Sequence, residues 1–356
     1  MIGAPRQADS TGERSWTWLQ IPARFAGIGI LSWVAILALV VLMSGRQIGV
    51  APDDWAYLNY FGGYGAIESS PSVWVRIVEE PLWVAYAPFA GDLLGDEQAL
   101  RLTIAISVAG FLYGSATLSG GVAAFVLATF VLDVLIGPQM YFNQIRQGVA
   151  LSLFLAVSAL GRARPRSAIW LGAGLAALVH TSFLLVLIAT VGFLSTRKRA
   201  EAIVLVVIAS LAVMVVFPEL LGTFRMVEFG RRSSYSFQNS LNYKFYVLAV
   251  PQYGLALYLG RPGAGDEDGR RIHDVAIAMV ITSFVVTFFH EAAARLFGMC
   301  NAMVSIVLSR SLRKLRGKLA AAAWLCFLVL SLVNEGEKIA WSEDSWLGRW
   351  TSILGR

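Results

Sequence analysis

Long apolar runs, separated by short basic or turn-rich stretches, fill most of the chain. Runs such as 26–44, 100–118 and 319–333 approach the roughly 20 apolar residues with which a helix crosses a bilayer. Their continuous apolar character differs from the alternating pattern of a transmembrane barrel. We therefore predict an all-α fold, a polytopic transmembrane helical bundle with about 9–11 membrane segments.

The basic residues predict how these segments are oriented, because short loops rich in Lys and Arg remain cytoplasmic. The N-terminal tail 1–25 is predicted inside, and the acidic stretch 46–98 and the loop 218–243 outside. Residues 26–333 form one membrane domain, and 334–356 an interfacial tail on the outer surface. The predicted spans are 26–44, 100–118, 122–136, 141–160, 203–217, 245–260, 275–289, 294–309 and 319–333, with 261–273 as an inner loop.

The apolar run 168–194 lies between two basic clusters that are both predicted to be cytoplasmic. Halves of about 13 residues, rising 1.5 Å per residue, cannot each cross roughly 30 Å of hydrocarbon. A re-entrant pair, or two short helices meeting near His180, reconciles the count, because non-helical backbone at that depth is tolerated where it lines a cavity. A single tilted span with one cluster outside is the alternative.

Composition narrows the functional classes. With 57% hydrophobic residues, 15% charged residues and a mean hydropathy of +0.64, the chain is typical of membrane proteins. The net charge of +6 comes mostly from short loops, so it bears on topology, and we expect no nucleic-acid partner. Cys300 and Cys326 lie in apolar runs and indicate neither a disulfide framework nor a metal site. Without a Walker loop or a dinucleotide fingerprint, we expect no cofactor.

The most unusual polar pattern lies at the head of the predicted span 141–160. On a continuous helix, Asn143, Arg146 and Gln147 fall at i, i+3 and i+4 and share one face. Because a charged, amide-rich face is costly in lipid, it must meet a polar cavity or a partner helix, which makes it a candidate functional site. The alternative is an arginine that only packs helices and is held by carbonyls and amides.

Further polar groups are predicted at the outer face beside Arg146. Cations in the loop 218–243 suit a phosphorylated ligand or, alternatively, lipid head groups. Glu291 and Arg295 form an i,i+4 pair that either closes on itself or serves the site. His180 is either a proton carrier or a helix-packing histidine. The candidates at the outer face are Asp53, Asp54, Glu80, Asn143, Arg146, Gln147, Arg231, Arg232, Tyr235, His290, Glu291 and Arg295.

Several short motifs follow one another over roughly residues 50–300. The most specific is an N-x-x-R-Q-x-x-A element within Tyr141-Phe-Asn-Gln-Ile-Arg-Gln-Gly-Val-Ala150. The others are Asp53-Asp-Trp-Ala-Tyr57-Leu-Asn-Tyr-Phe61, Glu80-Pro81, His180-Thr-Ser182, Arg231-Arg-Ser-Ser-Tyr235 and Ala292-Ala-Ala-Arg295-Leu296. In this order they resemble the EpsG-like branch of the Wzy-type bacterial polysaccharide polymerases. The doubled Asp53-Asp54 departs from the family pattern, and its spacing to Tyr57 favours Asp53 as the key acid and adds Tyr57 to the candidate site.

The resemblance implies a glycosyltransferase of the bacterial cytoplasmic (inner) membrane that joins polyprenyl-diphosphate-linked oligosaccharide repeat units at its periplasmic, outer face. The lipid bilayer, a chain-length regulator and a flippase are the further partners that it implies. Candidates for taking the acceptor proton are Asp53, Glu80 and His290. Candidates for stabilising the departing diphosphate are Arg146, Arg231, Arg232 and Arg295. Candidates for orienting sugar hydroxyls are Asn143, Gln147 and Tyr235.

Three other functions fit part of the pattern. A flippase or transporter of lipid-linked sugars also needs cations and a polar cavity, but it should show internal repeats and a path to both faces. Here the polar groups concentrate at the predicted outer side. Another glycosyltransferase or ligase acting on lipid-linked sugar is the second alternative, and a membrane-bound acyltransferase using His180 is the third.

Overall fold

The structure is a computed structural model that describes residues 30–49, 51, 53–63, 80–119, 140–142, 144–161, 165–180, 182–195, 199–224, 243–263, 265–285 and 290–311, with isolated positions 322, 325, 326 and 329. These residues form helices joined by short turns, and no strand occurs among them. The prediction of an all-α fold is thereby confirmed for the described part of the chain. The tails 1–25 and 334–356 and the predicted span 122–136 lie outside it.

Eleven helices of at least eight residues make up the described bundle. In chain order they are α1 (Ile30–Ser44), α2 (Asp54–Phe61), α3 (Pro81–Leu94), α4 (Asp96–Leu118), α5 (Ile145–Leu160), α6 (Pro165–Val179), α7 (Ser182–Ser195), α8 (Arg199–Phe224), α9 (Tyr243–Leu259), α10 (Glu267–Val285) and α11 (His290–Ser311), with a single helical turn at Met140–Phe142. One apolar core runs through the bundle from α1 to α11.

The centre of the bundle is the contact of α4 with α5, which run in parallel. Gly110 of α4 faces Ser152 of α5, and one turn further along both helices Gly114 faces Leu155. A Cβ on residue 114 would lie 2.6 Å from the Leu155 carbonyl carbon, so only glycine permits this approach. Because the two helices are parallel, α4 ends and α5 begins at opposite ends of the pair.

The predicted break near His180 is confirmed, since α6 ends at Val179 and α7 begins at Ser182. His180 stabilises the start of α7 itself. Its ring Nδ1 accepts the backbone N–H of Ser182 at 3.1 Å, and its carbonyl accepts the N–H of Phe183 at 2.9 Å. These N–H groups belong to the first turn of α7, where backbone N–H groups have no acceptor within the helix.

The end of the bundle far from this break is fastened by Arg310 of α11. Its Nη2 donates to Asp266 Oδ1 at 2.6 Å, and its Nη1 donates to the Leu118 carbonyl at 3.1 Å. Asp266 Oδ1 also accepts the N–H of Gly269 at 2.9 Å and so caps the start of α10. The C-terminal ends of α4 and α11 and the N-terminal end of α10 are thereby joined at one point.

Three predictions of local structure need correction. The continuous helix over 141–160 is wrong, because the turn 140–142 and α5 are separate and Gln144 between them is not helical, with φ −107° and ψ 51°. Tyr141 folds back over α5, where its hydroxyl lies 2.5 Å from Ser152 Oγ. A Cβ on residue 148 would lie 2.7 Å from the Tyr141 ring, so Gly148 makes room for it. The predicted loops 218–243 and 261–273 are too long, since α8 continues to Phe224 and α10 begins at Glu267.

One helix of the described residues, α4, is long and apolar enough to cross a membrane. Shorter apolar helices of 10–17 residues cover 32–44, 145–160, 166–179, 200–212 and 296–310. The number of membrane segments therefore stays a prediction.

Candidate functional site

Glu80 and Arg146 form a largely buried ion pair between α3 and α5. Nη1 of Arg146 donates to Glu80 Oε2 at 2.5 Å, and the Glu80 side chain is 5% exposed. Arg146 stands in the first turn of α5, whereas Glu80 is the residue before Pro81, the first residue of α3. The pair joins two segments that are 66 residues apart in the sequence.

The backbone of Glu80 is in the left-handed region, with φ 63° and ψ 63°. It is the one non-glycine residue of the described chain with a positive φ. For a residue with a Cβ, this conformation costs of the order of 1–3 kcal/mol and persists only when its surroundings enforce it. Such strain is concentrated at functional sites, which favours a functional role for Glu80.

An aromatic wall encloses the guanidinium of Arg146. The Tyr60 ring centroid lies 5.1 Å from its Cζ, within the range of a cation–π contact. The Tyr57 hydroxyl accepts the backbone N–H of Arg146 at 3.4 Å. Burial raises the pKa of the Tyr57 phenol, with Arg146 opposing the rise and Asp53 adding to it. At neutral pH Tyr57 is therefore protonated and keeps an O–H to donate. The buried Trp83 ring packs edge-to-face against the rings of both tyrosines.

His180 approaches Glu80 from the break between α6 and α7. Its Nε2 lies 3.8 Å from Glu80 Oε1, the oxygen that does not bind Arg146. The other ring nitrogen, Nδ1, lies 2.7 Å from Ser182 Oγ in addition to the Ser182 N–H. Glu80 thus lies between an arginine on one side and a histidine on the other.

The buried Nε of Arg146 has no hydrogen-bond partner among the described residues, whereas Nη1 bonds to Glu80. The Nε–Nη2 edge is the side of a guanidinium that binds phosphate or carboxylate with two parallel bonds. The Arg146 side chain as a whole is 28% exposed, although its Nε is buried.

The pair lies part-way along the bundle. Arg146 precedes Ser152 by six residues and Asp96 precedes Gly110, which faces Ser152, by fourteen. At 1.5 Å per residue, Arg146 therefore lies about 12 Å along the helix axis from the N-terminal end of α4.

A second ion pair, Arg46 with Asp54, lies close by and has a structural geometry. Both side chains are 0% exposed, and both guanidinium Nη groups donate to Asp54, at 2.7 and 2.5 Å. Asp54 Oδ2 also accepts the N–H groups of Gly49 and Ala51, at 2.8 and 3.2 Å. Asp54, predicted to bind substrate, is therefore closed in by protein donors, and it fixes the turn that leads into α2.

The remaining candidates fall into three groups. Asp53 is exposed at the start of α2, and Gln147 is buried in α5. His290, Glu291 and Arg295 belong to the first turns of α11, and their side chains lie outside the described part of the structure. Asn143, Arg231, Arg232 and Tyr235 lie outside the described residues altogether.

Sequence reasoning overlooked three members of the site. Tyr60 lies three residues after Tyr57 on α2, so helical spacing would have placed both on one face. Ser182 belongs to the motif His180-Thr-Ser182, but its bonds to His180 depend on the break between α6 and α7 and could not be predicted from the motif. Arg46, in the predicted outer stretch 46–98, is not among the predicted candidates, because a buried partner for one of two adjacent aspartates has no signal in sequence.

Comparison with protein families bears on what this arrangement does. The model of the EpsG family matches residues 30–334. The chain belongs to the EpsG family. The match includes every described member of the site, from Arg46 to Ser182. Searches of curated proteins and of solved structures give no match to this EpsG-family chain. Membership of the EpsG family implies a membrane protein and suggests a polysaccharide polymerase-like activity.

Proposed function

We propose that the chain is a polysaccharide polymerase that joins polyprenyl-diphosphate-linked oligosaccharide units at the outer face of the cytoplasmic membrane. The observation that carries the proposal is the largely buried Glu80–Arg146 pair in a chain of the EpsG family, together with an Arg146 Nε that has no hydrogen-bond partner among the described residues. The reaction needs an acceptor for a proton and a cation for a departing diphosphate. The pair supplies both groups at one place.

In the proposed reaction, a hydroxyl of the incoming unit attacks the anomeric carbon of the growing glycan. The bond between that carbon and the diphosphate oxygen breaks, and the electron pair leaves on the diphosphate. Glu80 takes the hydroxyl proton as general base. Arg146 stabilises the charge on the leaving diphosphate through Nε and Nη2, where a fixed donor acts without reorganisation.

Other described residues take supporting roles in this proposal. Tyr57 donates its hydroxyl to a sugar or phosphate oxygen, and Tyr60 backs the guanidinium and limits its movement. Asp53, exposed at the start of α2, contacts sugar outside the buried pair. Glu80 replaces Asp53 as the favoured base because it, and not Asp53, contacts Arg146 in the described structure.

The position of the pair along the bundle is compatible with a lipid-linked substrate. At about 12 Å from the N-terminal end of α4, a diphosphate at Arg146 would keep its polyprenyl chain beside the hydrocarbon. Exposed apolar side chains on the nearby helices suit lipid contact, namely Val34, Leu37 and Val41 of α1 and Leu102 and Ile106 of α4.

The test is a gel of surface polysaccharide and lipid-linked intermediates from a strain that lacks the chain, complemented with wild type or Arg146→Ala. We expect Arg146→Ala to lose polymer by about 10²–10³-fold, in line with the loss of one charge-stabilising donor. Single lipid-linked units should accumulate on the outer side, with the protein level unchanged.

The matched control is Arg271→Ala. Arg271 pairs with Glu267 one turn away on α10, and that glutamate is 73% exposed. This variant should make polymer normally. Normal polymer from Arg146→Ala would refute the proposed role of the pair, and accumulation of units on the cytoplasmic side would make the protein a flippase.

A further inference from the structure

The ring of His180 is held in one protonation form by the fold. The backbone N–H of Ser182 can only donate, so Nδ1, 3.1 Å away, must accept and carries no proton. In a neutral imidazole the proton then resides on Nε2. Nε2 is the atom that faces Glu80 Oε1.

A proton on Nδ1 would break the start of α7. It would place two donors against each other and leave the Ser182 N–H, in the first turn of α7, without its acceptor. The Ser182 hydroxyl, 2.7 Å from Nδ1, adds a second group that can donate to the same nitrogen. His180 is also 6% exposed, so water does not readily replace these bonds. The structure of the break therefore opposes a histidine that cycles its proton.

We infer that His180 is a positioning residue, fixed with its proton on Nε2, that orients the Glu80 carboxylate and carries no proton during the reaction. The inference rests on the proposed role of Glu80 as base. At 3.8 Å the contact is longer than a hydrogen bond, and Arg146 holds the other carboxylate oxygen at 2.5 Å. When Arg146 engages a diphosphate, Nε2–H remains to keep the carboxylate aimed at the acceptor hydroxyl.

Two amide variants separate the functions of the two ring nitrogens. The side-chain nitrogen of His180→Gln occupies about the place of Nε2, so this variant keeps a donor towards Glu80. The side-chain oxygen of His180→Asn occupies about the place of Nδ1, so this variant keeps the bond to Ser182 and loses the donor. We expect His180→Gln to polymerise within roughly tenfold of wild type and His180→Asn to lose about 10²-fold, the effect of misplacing a reacting group by 1 Å.

The other outcomes overturn the inference. Activity in His180→Asn but not in His180→Gln would show that His180 serves only to hold the start of α7 through Nδ1, and that its Nε2–H does not orient Glu80. Loss in both variants, with folded protein at the normal level, would indicate that His180 transfers a proton, which neither amide can do. Full activity in both would show that the donor is not used.

A measurement independent of activity examines the tautomer directly. The full chain, labelled with ¹⁵N-histidine and held in lipid nanodiscs, has three histidines, and His180→Asn identifies the signals of His180. We expect Nδ1 to show the shift of an unprotonated nitrogen and Nε2 that of an N–H. A protonated Nδ1 would overturn the inference. If the wild-type chain makes no polymer, the proposed function fails, whereas the measured protonation of the two ring nitrogens of His180 remains valid.

Discussion

The two arginine–carboxylate pairs near the start of α2 and α5 differ in burial and in what surrounds the carboxylate. Arg46 and Asp54 are fully buried, and Asp54 accepts two guanidinium bonds and two backbone N–H bonds. Arg146 donates to Glu80 through Nη1, its side chain is 28% exposed, and the glutamate backbone is strained. Nε of both arginines has no hydrogen-bond partner among the described residues, so burial is what separates the pairs. A fully buried carboxylate surrounded by protein donors gives a fixed turn, whereas a partly exposed arginine can also reach a ligand.

The largest expected effect on polymer synthesis comes from removing the carboxylate of the Glu80–Arg146 pair. Glu80→Gln keeps the shape and a hydrogen-bond acceptor but cannot take a proton, so polymer synthesis should fall by about 10²–10⁴-fold. Asp53→Asn is the comparison, because Asp53 is the other candidate acid and is exposed. It should reduce synthesis far less. In the polymer gel, a greater loss in Asp53→Asn than in Glu80→Gln would reverse the assignment of the base.

Substitutions in the Arg46–Asp54 pair should lower the stability of the folded protein. Asp54→Ala leaves Arg46 buried without its carboxylate, which costs about 3–5 kcal/mol. We expect a lower melting temperature of the purified protein and less folded protein in membranes. The double variant Arg46→Met with Asp54→Leu should recover part of this loss, but not all, because the N–H groups of Gly49 and Ala51 still lack their acceptor. A wild-type melting temperature for Asp54→Ala would contradict the structural role.

The smallest effect is expected at Tyr60. Tyr60→Phe keeps the ring against Arg146, whereas Tyr60→Leu removes a contact that contributes about 0.5–2 kcal/mol, roughly 2- to 30-fold in rate. Polymer yield at matched protein level should therefore follow the order wild type, Tyr60→Phe, Tyr60→Leu. Equal yields from the two variants would mean that the aromatic face does not hold the guanidinium.

Patterns that depend on neighbouring positions were predictable from the sequence. The apolar runs and basic clusters correctly predicted helices over most of the described chain and the break at His180. The polar stripe drew attention to Arg146, because a charge in an apolar run is visible without any structure, and its role in the site stays a prediction. The start of α5 was not predictable, since it depends on Tyr141 folding back against Gly148 and Ser152.

Partnerships between distant segments could not be predicted in the same way. The sequence separates Asp53 from Asp54 only by their spacing to Tyr57. Which of the two meets Arg46 is decided by the turn between α1 and α2. The meeting of Glu80, Arg146 and His180 depends on how α3, α5, α6 and α7 pack. Motif order suggested that they belong together, but only the packing gives each of them a partner.

The spacing of the site along the chain has a consequence for biosynthesis. Glu80 is made 66 residues before Arg146, and His180 follows 34 residues later still. At roughly 5–20 residues per second, the glutamate waits about 3–13 s for its arginine while the ribosome completes α4 and the start of α5. Arg46, by contrast, meets Asp54 within eight residues, in about 0.4–1.6 s. The Arg46–Asp54 pair can therefore form early, whereas Glu80, Arg146 and His180 can come together only after α6 and the start of α7 have been made.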